Sequence, residues 1–151
     1  MNNKTLLYAI AAAVIIVGCA TPPETIAATC PGASCEVVVT VSGNPPTVAV
    51  SDNELHVPRG NSPVITWRLN TSGYEFRSDS ITPHTAAPTG SKMTTTLSEW
   101  NTQIQFLSNT AKRFMVKDKN PSPARLFYDV KVYRSSDGTP FRLDPAIIND
   151  F

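Results

Sequence analysis

The clearest alternation in the chain is LFYDVKVYR. Leu126, Tyr128, Val130 and Val132 fall on one side of an extended backbone, and Phe127, Asp129, Lys131 and Tyr133 on the other. Period two marks a strand with one face in a core. CEVVVTVSG repeats the pattern, with Cys35, Val37, Val39 and Val41 opposite Glu36, Val38 and Thr40, and it breaks at Gly43, Asn44, Pro45 and Pro46. PVITWRLN sets Ile65, Trp67 and Leu69 on one face and makes Trp67 the central core aromatic. TVAVS and ELHVP are short β segments around the turn-forming Ser51, Asp52 and Asn53. YEFRSDSI alternates Tyr74 and Phe76 against Glu75 and Arg77 as a half-buried strand, and TQIQFLS and KRFMVKD join through Asn109 and Thr110. After the turn signal SSDGTP, with Asp137 and Gly138 at its tip, FRL returns as an edge strand before DPAIINDF.

Seven to nine short strands, without a ten-residue helical pattern, predict an all-β domain: a two-sheet antiparallel sandwich. Val37, Val39, Trp67, Leu69, Tyr128, Val130 and Val132 make the expected core. Between Thr82 and Thr96 the run TPHTAAPTGSKMTTT lacks apolar periodicity and reads as a long surface loop, a candidate binding edge.

The N-terminus follows a different logic. One positive charge, Lys4, precedes an uncharged apolar run from Leu6 to Gly18, the layout of a secretion signal. As a helix that run reaches only about 20 Å, short of the roughly 30 Å a permanent membrane span needs. It ends at Cys19, and Pro22 and Pro23 forbid helical continuation. IVGC, Ile16 to Cys19, resembles the lipobox of bacterial lipoproteins, with Ile16 where leucine is commoner. The resemblance implies cleavage before Cys19, its lipidation, and a membrane anchor that two or three acyl chains make effectively permanent. Ala20 follows the cysteine instead of the aspartate that marks inner-membrane retention, which implies an outer-membrane site facing the periplasm. The expected organisation is signal peptide 1–18, tether 19–29 and sandwich domain 30–151.

Setting Cys19 aside leaves Cys30 and Cys35 in TCPGASCEV, an even pair in an oxidising compartment. Pro31 and Gly32 favour a turn that brings them into bonding range, so a disulfide is expected, with free thiols or metal ligation as the alternatives. Thirteen Lys and Arg against twelve Asp and Glu leave the chain almost neutral, without the positive excess that nucleic acid requires. Charged residues make up 17%, a low share that fits a β-rich envelope protein.

The order ELHVPRGNSPVITWRL, FMVKDKN, LFYDVKVY and DPAIIND resembles the DP-EP family of small bacterial proteins, over roughly Glu36 to Asp150. That resemblance implies an immunoglobulin-like or cupredoxin-like sandwich of unassigned function and carries no catalytic residues. A cupredoxin copper site needs two histidines, a thiolate and usually a methionine, with the cysteine near the last strands. His56, His84, Met93 and Met115 are present, but Cys30 and Cys35 lie before and at the start of the first strand, far from the last strands, so no metal or cofactor is expected. His56 reads as a strand-surface histidine and His84 as a solvated loop histidine, with metal binding or proton sensing as the alternative for His84. Hydrolase motifs are absent from the sequence, and no catalytic residue is assigned. Asp118, Asp137 and Asp144 sit in the turn-like contexts KDKN, SSDG and LDPA, which predict capping and solvation, although spatial convergence of a carboxylate pair among these and Asp129 stays open. Lys112, Arg113, Lys117 and Lys119 around Phe114 read as a solvated face, with anionic lipid as the alternative. Phe127 and Tyr133 face away from the core, as a partner or glycan surface or beneath other chain. The NTS at Asn70 is taken as an accidental sequon. The reading is therefore a non-enzymatic, lipid-anchored module with a protein or envelope-polymer partner; the alternative is a metal-binding or electron-transfer protein of cupredoxin ancestry.

Overall fold

The computed structural model describes residues 28–85 and 94–150. The signal peptide, Cys19, most of the tether, Met93 and the middle of the 82–96 segment lie outside the described residues. The strands are β1 (Ala28–Thr29), β2 (Ser34–Ser42), β3 (Thr47–Val50), β4 (Glu54–Val57), β5 (Val64–Leu69), β6 (Tyr74–Glu75) and β7 (Ile81–Pro83). After one helix, α1 (Leu97–Gln103), come β8 (Ile104–Asn109), β9 (Arg113–Asp118), β10 (Ala124–Arg134), β11 (Pro140–Leu143) and β12 (Ala146–Asn149).

Two sheets form the expected β-sandwich. One runs β3-β2-β5-β9-β8; the other runs β1-β4-β12-β10-β11, with β6 and β7 also on β10. Both sheets are mixed: β2 with β5, β1 with β4 and β4 with β12 are parallel pairs, where the sequence led us to expect antiparallel pairing throughout. Parallel neighbours arise when the chain crosses between sheets before returning, and an alternation pattern carries no record of such crossings.

All seven expected core residues are buried, joined by Ile65, Phe114, Leu126 and Ile147. Trp67 is fully buried and meets Tyr128 edge-on at 5.4 Å and Phe114 at 6.5 Å, the geometry that aromatic quadrupoles favour. Its indole nitrogen donates to the Tyr128 hydroxyl at 3.3 Å, which pairs two polar atoms inside the core. The Cys30–Cys35 disulfide is formed, with the two Cα atoms 5.6 Å apart.

β1 takes Ala28 and Thr29 from the end of the expected tether, and three further segments depart from the sequence expectation. YEFRSDSI is not one strand: β6 ends at Glu75, a turn follows in which Ser80 Oγ accepts from the Arg77 amide, and β7 begins at Ile81. TQIQFLS starts in α1, whose Thr96 cap accepts from the Glu99 amide while the Glu99 carboxylate accepts from the Thr96 amide. DPAIIND contains β12, an inner strand between β4 and β10, because Ala146 and Ile147 have two sheet neighbours to satisfy their backbone. FRL is the expected edge strand, β11.

Candidate functional site

Sheet register assembles the site. β10 pairs with β7 so that Asp129 faces Thr82, and with β11 so that Lys131 faces Arg142 and Val130 faces Leu143. Continuing those registers sets His84 opposite Phe127 and Asp144 opposite Asp129. Paired residues share a face and side chains alternate, so His84, Asp129, Arg142 and Asp144 all lie on the sheet face opposite Tyr128 and Val130.

His84 is held by its backbone on both sides. Its amide donates to the Phe127 carbonyl at 3.0 Å, its carbonyl accepts from the Thr95 amide at 2.9 Å, and the Thr95 hydroxyl accepts from the Phe127 amide at 2.7 Å. His84 is 3% exposed, which corrects the solvated-loop reading. Pro83 and its polar neighbours made the stretch look unstructured, yet the proline occupies a strand position opposite Tyr128.

The side chains converge tightly. His84 Nδ1 is 2.6 Å from Asp129 Oδ1 and 3.7 Å from Asp144 Oδ1. Arg142 Nε lies 2.9 Å from Asp144 Oδ1 and 3.4 Å from Asp129 Oδ1, and Arg142 Nη2 is 3.3 Å from His84 Nδ1. Two carboxylates directly across a strand pair repel each other, and the imidazole and guanidinium stand diagonally between them as the offsetting groups. Burial pushes the Asp129 carboxyl above its ordinary range, opposed by the hydrogen bond from His84 and reinforced by contact with Asp144. Burial also pushes Asp144 upward, but hydrogen bonds from Arg142 and Asp129 outweigh it and hold that carboxyl below its ordinary value. Among the described residues, His84, Asp129 and Asp144 form a group whose donor atoms all lie within 4.8 Å of one another.

The other sequence candidates are dispersed. Asp118 is fully buried at the end of β9, not solvated as expected: its Oδ1 accepts from the Asn120 amide at 2.9 Å and from Asn149 Nδ2 at 3.2 Å. Asp118 Oδ2 and Asn149 Oδ1 are buried without a partner, and burial pushes the Asp118 carboxyl up to about 6. Asp137 caps its turn as expected, accepting from the Thr139 amide. His56 is a half-buried strand histidine paired with Asp150 at 3.0 Å. In the basic cluster, Lys112 donates to the carbonyls of Thr71 and Tyr74, Lys119 donates to that of Asn101, and Phe114 is buried. Phe127 and Tyr133 are half-buried, covered by the guanidinium groups of Arg125 and Arg77 at 5.3 and 4.5 Å. A groove of about 330 Å³ lies elsewhere, beside Glu99, Gln103, Ser122 and Arg125.

No protein-family model and no curated protein matches the chain. Among solved structures, a methionine-to-leucine variant of rusticyanin is 14% identical over 80% of this chain and 79% of that chain, with a TM-score of 0.40. Rusticyanin from Thiobacillus ferrooxidans is 16% identical over 80% and 79%, with a TM-score of 0.35. Rusticyanin is described as a copper protein. At these values the likeness says nothing about ligands. Among the described residues no thiolate is available to a copper centre: Cys30 and Cys35 are joined to each other, and Met115 lies in β9, in the opposite sheet from His84's partner strand β10.

Proposed function

We propose that the chain is a lipid-anchored β-sandwich of the bacterial envelope, a non-enzymatic binding or assembly module for a protein or an envelope polymer. The observation that carries the reading is the pairing of Cys30 with Cys35, which leaves Cys19 as the odd cysteine of three, at the end of the apolar leader. A disulfide suits an oxidising compartment, and a third cysteine directly after IVG suits lipidation there. Eight residues separate Cys19 from Ala28, so even fully extended they span at most about 30 Å, which keeps the sandwich close to the membrane surface. Ala20 beside the cysteine favours the outer membrane, facing the periplasm. The non-enzymatic half rests on the polar side chains: His84 is engaged by carboxylates, and no serine, threonine or thiolate nucleophile is bonded to it among the described residues.

Metabolic labelling with palmitate and fractionation of the envelope test the anchor. Wild type is expected in the membrane fraction and labelled, and Cys19→Ser unlabelled and soluble. An unlabelled, soluble wild type sinks the proposal. For the module, in-cell crosslinking of the anchored chain should yield a discrete adduct that Cys19→Ser loses; adducts indifferent to anchoring count against it.

A further inference from the structure

We propose that His84, Asp129 and Asp144 form a binding site for a divalent first-row cation of the Zn²⁺ class, with Arg142 as a built-in counter-cation that the metal displaces. The inference draws on the sandwich alone and stands or falls independently of the N-terminal anchor.

The donor set is one imidazole nitrogen and two carboxylate oxygens, a combination that suits zinc and its neighbours. Ligand bonds of about 2.0–2.2 Å in a tetrahedral arrangement place donor atoms about 3.4 Å apart. The present separations of 2.6 and 3.7 Å from His84 Nδ1, with all three atoms inside 4.8 Å, bracket that value. Shifts of under about 1 Å per ligand therefore complete the geometry, leaving a fourth position for water or a partner group. Clamping of the His84 backbone at both its amide and its carbonyl limits the directions the imidazole can take, the kind of outer support metal ligands need.

Charge points the same way. The two carboxylates face one guanidinium and an imidazole that is neutral when it binds metal, so the cluster carries one negative charge in excess. A divalent cation in place of the guanidinium brings the sum to zero. Lys131, two positions from Asp129 on the same strand face, is directed to Asp79 at 3.6 Å. The Arg142 side chain is 46% exposed and sits on the edge strand β11, so it can swing into solvent without disturbing the core. A protonated imidazole or an approaching Arg142 competes with the metal, which makes Arg142 a guard on the site. Ca²⁺, which requires six to eight oxygen ligands, is a poor fit.

The purified full chain in detergent, stripped of metal, is titrated calorimetrically with Zn²⁺ and in parallel with Ca²⁺, and Co²⁺ is followed by visible absorption. We expect one Zn²⁺ per chain, weak Ca²⁺ binding, and Co²⁺ ligand-field bands without a thiolate charge-transfer band. Asp144→Asn should weaken Zn²⁺ binding at least about tenfold, Arg142→Gln should strengthen it about tenfold, and His56→Gln should leave it unchanged. All three changes fall on partly exposed side chains, and circular dichroism confirms that each variant is folded. No saturable Zn²⁺ binding, affinity indifferent to Asp144→Asn, or affinity lost with His56→Gln overturns the site. Unchanged or weaker binding in Arg142→Gln overturns the role of Arg142.

Discussion

Asp129 and Asp118 are both buried carboxyls on strands, and they solve the same problem in opposite ways. Asp129 lies on a sheet face where register brings a histidine and an arginine to within 3.4 Å of it, so its charge is answered by charge. Asp118 joins the two sheets, bonding from β9 in one to Asn149 of β12 in the other, and it meets amides only: Asn149 donates to it and also to Gln103, and Gln103 in turn donates to Ser122. No ion pair reaches Asp118 among the described residues, and one of its oxygens and the amide oxygen of Asn149 are left without donors. Burial pushes that carboxyl up to about 6, and the hydrogen bonds from the Asn120 amide and Asn149 offset the rise only in part. Burial raises both carboxyls, and the partners offered by neighbouring strands decide how each is compensated.

The comparison can be broken first at Asp129. Asp129→Ala leaves His84 and Arg142 with Asp144 as their one carboxylate partner among the described residues, and should cost about 3 kcal/mol in denaturant unfolding at neutral pH. At Asp118 the sign reverses. Its folded value of about 6 lies above the ordinary 3.8, so its stabilisation is complete below about pH 4 and is lost as pH rises through 6. Asp118→Asn supplies a permanent donor and should gain about 2 kcal/mol at pH 7, with little gain at pH 4. The difference between wild-type and variant stability across that range isolates Asp118 from other titrating groups, and a variant less stable than wild type at pH 7 contradicts the contrast. Arg142→Gln is milder, about 1 kcal/mol and shrinking as salt is added, because its side chain is half in water. His56→Ala breaks an ion pair of similar composition at a more exposed place, and thermal unfolding should register about 0.5 kcal/mol or less.

Much of the sandwich was legible because alternation reports directly on which side chains face the core: Val37, Val39, Trp67, Tyr128, Val130 and Val132 were placed by period two alone. The same alternation put Asp129 on the outer face of β10, while Asp144 read as a turn residue just past the edge strand. What it could not supply was register, and Asp144 faces Asp129 only because the turn through Asp137 and Gly138 fixes how β11 returns along β10. His84 was hidden for another reason. Strand propensity argues against Thr-Pro-His, and only the long partner strand β10 holds it in the ladder. The short helix had a readable signal in Thr96 and Glu99, a capping box that a search for longer helices passes over. Asp118 looked like a turn residue because it is one locally, its Oδ1 bonded to the Asn120 amide; its burial comes from a sheet distant in sequence.

The disulfide has a mechanical side as well. Pulling on the N-terminus meets β1 first, a two-residue ladder on β4 that can be peeled away one bond at a time. At Cys30 the covalent bridge bypasses Pro31 to Ser34 and delivers the load to Cys35, inside β2. From there the force runs along the strand, parallel to the register that joins Ser34–Val39 to Val64–Leu69, so those hydrogen bonds are loaded together in shear. A sandwich tethered by this end would resist tension at its centre and give only at its first strand, so the bridge works as a stop between a yielding hem and a stiff body.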